Sequence, residues 1–471
     1  MTIPSLLPDL LLLLLPFLLL GYDLIVAEKG EKALFPIAIG GTTLITLLYF
    51  FVSPLSEPWL GGWSMTQRGI EFRILFTIAA LLALLFAHTY FVRGGDRQRP
   101  LQHRAEFLAI ILLVTFGMVA MVSAQTLLAI FVALELATIP LYVLVGWRRN
   151  DQLGSEAATK YIIMGAASSG FMLFCFSYLY GLSGSLEFSQ IASWISQNQQ
   201  QPLLWLAVLM LFGGIGFKLT LFPFHMWAPD VYQGAPTPVT AFLSVSSKST
   251  AVAFLAVMLY GPLAPIHNQI QTLILILAGF TMTIGNLGAL RQRQFRRFMA
   301  YSSIAQAGYI ITAFAGPGGS AMLSLIYYLL IFAASNYLAF SVFAIVGEKR
   351  GEDFDALRGL AVQSPALGGI LAVTMFSLAG IPPVAGFLGK LFLFSSAAET
   401  GHYLFIVFAA LNSTVSLYYY LRVVREAYIE KPDTPHLSPL MMSGVQRATV
   451  AILLVAVLLM GLLPQITNAL S

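Results

Sequence analysis

The sequence predicts an all-α integral membrane protein with about fourteen transmembrane helices. Only 10% of its 471 residues are charged, against roughly a quarter in soluble chains. Apolar runs of about 20 residues recur along the whole chain, each long enough to cross a bilayer as a helix. None of them alternates polar and apolar residues as barrel strands do.

The spans follow in order. Residues 4–24 are leucine-rich. No Lys or Arg precedes them and no small-residue cleavage site follows, so they are read as a retained helix and not as a removed signal. Spans 2 and 3 cover 33–53 and 70–92. Spans 4 to 8 cover 106–123, 126–147, 157–181, 203–228 and 237–261. Spans 9 to 13 cover 269–290, 298–316, 321–346, 366–397 and 403–427, and span 14 covers 446–466. The chain thus divides into three N-terminal helices (1–105), two five-helix repeats (106–261 and 269–430) and a last helix (431–471). An odd-numbered unit repeated in tandem inserts with opposite orientation, so the repeats are expected to be inverted.

The loops test this count, because Lys and Arg gather on the cytoplasmic side. Lys29 and Lys32 follow span 1, and Arg93, Arg97, Arg99 and Arg104 follow span 3. Arg148 and Arg149 follow span 5, and Arg291, Arg293, Arg296 and Arg297 follow span 9. Lys349, Arg350 and Arg358 follow span 11, and Arg422, Arg425, Lys431 and Arg447 follow span 13. The opposite side holds only Arg68 and Arg73. Both termini are therefore expected outside. The loop after span 7 is the exception, on the cytoplasmic side by count but carrying only Asp230.

Four basic residues remain, Lys160, Lys218, Lys248 and Lys390, all within spans. Among the acids, Glu135 alone reads as deep in a span. A charge at the bilayer centre costs about 2.5–3.5 kcal/mol on insertion scales, so five cost about 12–17 kcal/mol if dry and unpaired. That equals the stability of a typical domain, about 5–15 kcal/mol. These residues must be paired, hydrated or neutralised. Two readings stand at this point: one or two structural ion pairs, or a relay of ionisable groups. Lysine suits a proton relay, because loss of water weakens its hold on the charged form. A carboxylate about 7 Å away, at an effective dielectric of about 20, acts on it by about 2.4 kcal/mol.

Two spans are interrupted beside their lysines. Span 7 reads GFKLTLFPFHMWAP, and Pro223 deprives the Leu219 carbonyl of its helical donor. Span 12 reads SLAGIPPVAGFLGK, with Gly380, Pro382, Pro383, Gly386 and Gly389 before Lys390. Interrupted spans in both halves point to a transport site; ordinary proline kinks are the alternative. They are the fourth helix of each repeat. Span 10, the counterpart of span 5, has Gln306 and Ser302 where a second glutamate would be expected. His225, beside the first break, is a proton-passing candidate or a packing residue. His88 reads as packing. Ser244, Ser246, Ser247 and Ser249 around Lys248 either hold water or bond their own helix. Tyr418, Tyr419 and Tyr420 read as packing or an interface belt. Cys175 is the only cysteine, which excludes a disulfide within the chain and argues against a cysteine-ligated metal. No glycine-rich loop follows a strand, so nothing here reads as a nucleotide site.

At these motifs the chain resembles antiporter-like subunit N of the complex I family. The stretches GFKLTLFPFHMWAPDVYQGAPTPVTAFLSVSSK, SEAATKYIIMGAASSG, RRFMAYSSIAQAGYI and SLAGIPPVAGFLGK carry the resemblance, which covers most of 105–430. It implies a fourteen-helix fold with inverted repeats, broken helices at spans 7 and 12, and one proton path driven by quinone reduction elsewhere in the complex. It implies Lys218 as the central proton carrier, Glu135 as the charge that tunes it, and Lys160 as a coupling or feeding group. Lys248 would pass protons along the mid-plane and Lys390 would be the exit group. A lysine at 390 favours subunit N over subunit M, and the lack of a long lateral helix argues against subunit L. The serine-rich stretch around Lys248 departs from the usual alanine or glycine. Cofactors are expected in partner subunits only: quinone, FMN, NADH and iron–sulfur clusters. The expected partners are other membrane subunits and the lipid bilayer, with no nucleic acid and no soluble substrate. The expected location is a bacterial inner membrane. The alternatives are a multisubunit cation/proton antiporter, a ferredoxin-linked photosynthetic relative in the thylakoid, and a structural subunit without transport.

Overall fold

The computed structural model describes residues 5–26, 31–55, 58–59, 62–92, 103–148, 150–431, 440 and 442–462. Their α-helices, in chain order, are α1 (Leu7–Val26), α2 (Glu31–Tyr49), α3 (Gln67–Val92), α4 (Arg104–Ser123), α5 (Leu127–Val145) and α6 (Gln152–Ser183). Then come α7 (Phe188–Gln197), α8 (Pro202–Leu219), α9 (Trp227–Gly234), α10 (Thr237–Tyr260), α11 (His267–Arg291) and α12 (Phe295–Thr312). The last are α13 (Gly318–Arg350), α14 (Leu360–Gln363), α15 (Pro365–Ala379), α16 (Ala385–Ala398), α17 (Tyr403–Tyr428) and α18 (Gly444–Leu462). Twelve helical segments among the described residues are long and apolar enough to cross a membrane. The remaining two predicted spans are α12, made more polar by Arg296 and Arg297 in its first turn, and the split pair α15 and α16. Lys29, Arg93, Arg97, Arg99 and Arg149, with the Lys349 side chain, lie outside the described residues, as do the far ends of the first and last spans.

Both expected interruptions are present. The single span predicted at 203–228 stops at Leu219, and helix resumes only at Trp227 as α9. The span predicted at 366–397 is two helices joined by Gly380–Val384. Gly380 ends α15 at φ 84°, a left-handed conformation that a side chain would disfavour. Pro223, and Pro382 with Pro383, lie in these non-helical links, where a missing backbone donor costs least. Between spans 6 and 7 the structure adds α7, which hydropathy does not predict. It is a surface helix whose Phe188, Ile191 and Ile195 turn inward at three- and four-residue spacing.

The helices fall into two compact units. The first holds α1 and α2, α3 as far as His88, α4 to α8, α10, and α11 as far as Gln271. The second holds the remainder of α3, the segment Thr220–Gln233, and the chain from Thr272 onward. α10 in the first unit and α13 in the second are buried along nearly their whole length. By contrast, α1 exposes Leu10, Leu14, Phe17 and Leu18, and α17 exposes Leu404, Val407 and Leu411. Such faces are stable only against lipid or a neighbouring apolar surface.

Two charge readings are corrected in the first unit. The loop charges put Arg73 at the outer rim, and the spans leave Glu135 as the only deep acid. Arg73 lies nearly two turns inside α3 and is wholly buried. Its Nε donates to Asp9 at 3.2 Å, and Asp9 is itself buried in α1. Asp9 also accepts from Tyr49 (2.6 Å) and Trp63 (3.0 Å), and Arg73 donates to the Ser64 carbonyl and Ser123 hydroxyl. Each charge sits within two turns of a helix end, where sequence alone does not separate rim from interior. In the second unit, Asp230 pairs with Arg297 at 2.7 Å.

Candidate functional site

In the first unit, α5, α6 and α8 bring three polar groups together. Glu135 leaves α5 toward Lys218 of α8, with Oε1 3.6 Å from Nζ. Lys218 also donates to Thr138 Oγ1 at 3.2 Å, and Ser169 of α6 donates to Glu135 Oε1 at 2.7 Å. The lysine side chain is 3% exposed and the glutamate 16%. At 3.6 Å and an effective dielectric of about 20, the attraction is on the order of 4–5 kcal/mol, about twice that expected at 7 Å. Desolvation costs several kcal/mol per ion, so the attraction alone does not hold the pair in place. The Thr138 and Ser169 hydroxyls supply the remaining stabilisation.

The local fold explains the position of Lys218. It stands in the last turn of α8, where the unpaired carbonyls of a helix end favour a cation. Its own carbonyl accepts a hydrogen bond from Ser247 of α10 at 3.1 Å. Lys248, the next residue, is 1% exposed on the same helix. The serines around it divide: Ser244 bonds its own helix at Ala241, and Ser247 caps α8. Ser246 and Ser249 are buried hydroxyls with no partner among the described residues.

Lys160 does not join this group. Its side chain is 41% exposed and pairs with Glu156 at 2.7 Å, one turn before it on α6. Nine residues separate Lys160 from Ser169, which is two and a half turns. The two therefore point to opposite faces of α6.

In the second unit, Lys390 of α16 is buried among neutral partners. Its Nζ donates to the Ala379 carbonyl at 2.9 Å and to Ser413 Oγ at 3.0 Å, and lies 4.6 Å from the centre of the Tyr309 ring. Ala379 is the last residue of α15, so this lysine also sits at a helix C-terminus. The neighbouring carbonyl, Leu378, accepts from Gln306 at 2.9 Å. Gln306 donates to Tyr420 and accepts from Tyr328, and Tyr420 shares a hydrogen bond with Ser302. Gln306 and Ser302 thus stand in a neutral network where span 5 has its carboxylate. Tyr419 and Tyr420 are interior polar groups and not a belt: both are fully buried, and Tyr419 donates to Asn286 at 3.0 Å. Tyr418 faces outward.

His225 lies in the Thr220–Gln233 segment, half-buried with its ring 6.0 Å from that of Phe222; its Nδ1 has no partner among the described residues. His88 packs edge-on against Phe35 at 5.2 Å. Among the described residues, no cluster of His, Cys, Asp or Glu could hold a metal ion. Thr138, Ser169, Ser413 and Tyr309 escaped sequence reading. For Thr138 a signal existed, since it stands three residues after Glu135 and shares its helix face.

Residues 124–416 match a family model described as NADH:quinone oxidoreductase/Mrp antiporter, TM. The chain is 38% identical over 413 residues to an NADH-quinone oxidoreductase subunit N 2 from Solibacter usitatus, covering 86% of this chain and 82% of that one. It superposes with TM-score 0.81 and 32% identity on a chain of respiratory complex I from Thermus thermophilus, covering 98% of this chain and 99% of that one. A chain of the Mrp complex from Dietzia gives TM-score 0.83 at 20% identity, covering 98% and 96%, which is a likeness of fold.

Proposed function

Because this chain belongs to the NADH:quinone oxidoreductase/Mrp antiporter transmembrane family, we propose that it is the N-type proton-translocating membrane subunit of a complex I-type NAD(P)H:quinone oxidoreductase. The observation that carries the proposal is the buried Lys218–Glu135 pair, 3.6 Å apart at the broken end of α8. Lys218 is the proton carrier and Glu135 the charge that sets its occupancy. While the carboxylate faces the ammonium, the proton is held on Nζ. Ser169 offers that carboxylate a second partner, and a shift toward it weakens the hold so that the proton leaves. Lys248, among buried serine hydroxyls, is the next acceptor. Lys390, held by neutral groups at a second helix end, is the exit group. Lys160, half-exposed and paired with Glu156, feeds protons from the rim and does not couple the pair.

The redox chemistry belongs to partner subunits, which hold the nucleotide, flavin, iron–sulfur clusters and quinone. The chain is a multi-pass membrane protein, and we place it in a bacterial inner membrane with both termini on the periplasmic side. The distribution of loop arginines and lysines supports that orientation.

Lys218→Met in the intact complex should assemble, yet move fewer protons per electron from NADH to quinone. Normal stoichiometry in that variant would falsify the assignment. The second reading is a subunit of a multisubunit cation/proton antiporter, which shares the fold. Higher identity to the complex I chain than to the Mrp chain favours the first reading. Mass spectrometry of the complex that purifies with this chain decides between them: peripheral iron–sulfur subunits support the first, and only membrane subunits support the second.

A further inference from the structure

The Glu135–Lys218 site holds one buried group that this relay leaves unused. Tyr142 follows Glu135 by seven residues, two turns along the same face of α5, with Thr138 between them. Its side chain is 7% exposed. The ring packs edge-on against Tyr161 of α6 at 4.7 Å, and Tyr161 in turn packs on Phe217, the residue before Lys218. The hydroxyl nevertheless makes no hydrogen bond of ordinary length and angle among the described residues, although the Thr138 side chain stands beside it. It is seated against Gly165 of α6, where any Cβ would collide with it. Gly165 lies one turn before Ser169, the residue that donates to Glu135. A buried hydroxyl left unpaired costs about 1–3 kcal/mol. Phenylalanine would keep the same ring contacts without that cost, so packing does not account for the oxygen.

The chemistry of Thr138 indicates what the oxygen is for. Thr138 donates its hydroxyl hydrogen to the Leu134 carbonyl at 2.8 Å and accepts from Lys218 Nζ. It can therefore anchor the lysine but has no hydrogen free to pass on. The next group on this face with both a proton and a free lone pair is the Tyr142 phenol. It lies toward the C-terminal end of α5, which the loop-charge bias assigns to the cytoplasmic side.

We propose that Tyr142 is a proton-relay residue that loads the Lys218–Glu135 site from that side. The proposal rests on the reading of this chain as a proton-translocating subunit. In the step, a hydronium on the cytoplasmic side gives a proton to Tyr142 Oη. At the same time the phenol gives its own proton to a water on the Thr138 side. At the phenol one O–H bond forms and one breaks, the first hydronium becomes water and the second water becomes hydronium, and the phenol ends neutral. The second water, now the hydronium, protonates the neutral Lys218 amine.

The test uses the intact complex in proteoliposomes, reading protons moved per electron. Electron transfer is measured alongside in the presence of an uncoupler. Tyr142→Phe should lower the ratio, approaching the loss in Lys218→Met. Gly165→Ala, which pushes the phenol from its seat, should lower it too. An unchanged ratio in Tyr142→Phe beside a defective Lys218→Met overturns the relay role alone. Normal pumping by Lys218→Met overturns the reading beneath it. Failure of Tyr142→Phe to assemble also overturns the proposal, because it would make the hydroxyl a structural group.

Discussion

Replacing Asp9 by leucine should be among the most damaging single changes in the first unit, although it touches no proposed relay residue. The substitution leaves Arg73 fully buried and strips its Nε of the carboxylate 3.2 Å away. Removing one partner of a buried ion pair costs about 3–5 kcal/mol, because the remaining charge is uncompensated. At about 1.4 kcal/mol per tenfold, the folded-to-unfolded ratio falls roughly a hundredfold to several thousandfold. Tyr49 and Trp63 lose their acceptor as well, at about 1–3 kcal/mol for each donor left dry. Replacing both members, Asp9→Leu with Arg73→Met, removes the uncompensated charge and should recover that part of the loss, about 3–5 kcal/mol, while Tyr49 and Trp63 remain without their acceptor. The assay is thermal dissociation of the purified complex on native gels, with the double-mutant cycle read from the midpoints. Whatever complex assembles should pump normally. An Asp9→Leu midpoint equal to wild type would refute the reasoning. So would a double variant no more stable than the single one, because the cost would then not lie in the stranded guanidinium.

Ser247→Ala removes the hydroxyl that caps the Lys218 carbonyl; it should cost about 0.5–1.5 kcal/mol and slow pumping, seen as a lower rate at unchanged assembly. Lys160→Met should leave the protons moved per electron close to wild type in the proteoliposome assay that exposes Lys218→Met, because the Lys160 side chain is 41% exposed and faces away from the pair. Arg297→Ala breaks an ion pair whose side chains are each about one-third exposed. It should therefore change thermal stability by less than about 1 kcal/mol, within the scatter of a melting measurement.

Much of this protein was legible in the chain. Hydropathy located the spans because a bilayer demands long apolar helices whatever their neighbours are. The proline- and glycine-rich links announced both broken helices, because proline lacks the donor that a continuous helix needs. The intramembrane charges announced the site residues, because their cost is set by the solvent and not by the fold. That cost also misled where it was read from position alone. Lys160 lies inside an apolar run but near the start of its span, where snorkelling can carry a lysine outward; a run has two faces, and Lys160 takes the exposed one. Asp9 and Arg73 counted as rim or went unnoticed, yet tertiary packing drew the helix ends inward around them.

The sequence by itself determined that this is a helical membrane protein with expensive charges beside two helix breaks. Only the tertiary structure decided which charges meet. Glu135 and Lys218 are distant in the chain, and their 3.6 Å separation arises from how α5 and α8 pack. So do the roles of Thr138, Ser169 and Tyr142, whose polar groups are unremarkable in a helix until a neighbour of fixed position faces them. The physical reason is one of range. Solvent transfer acts on each residue singly and can be read along a line. Hydrogen bonds and ion pairs act within about 4 Å, across helices that the line does not place side by side.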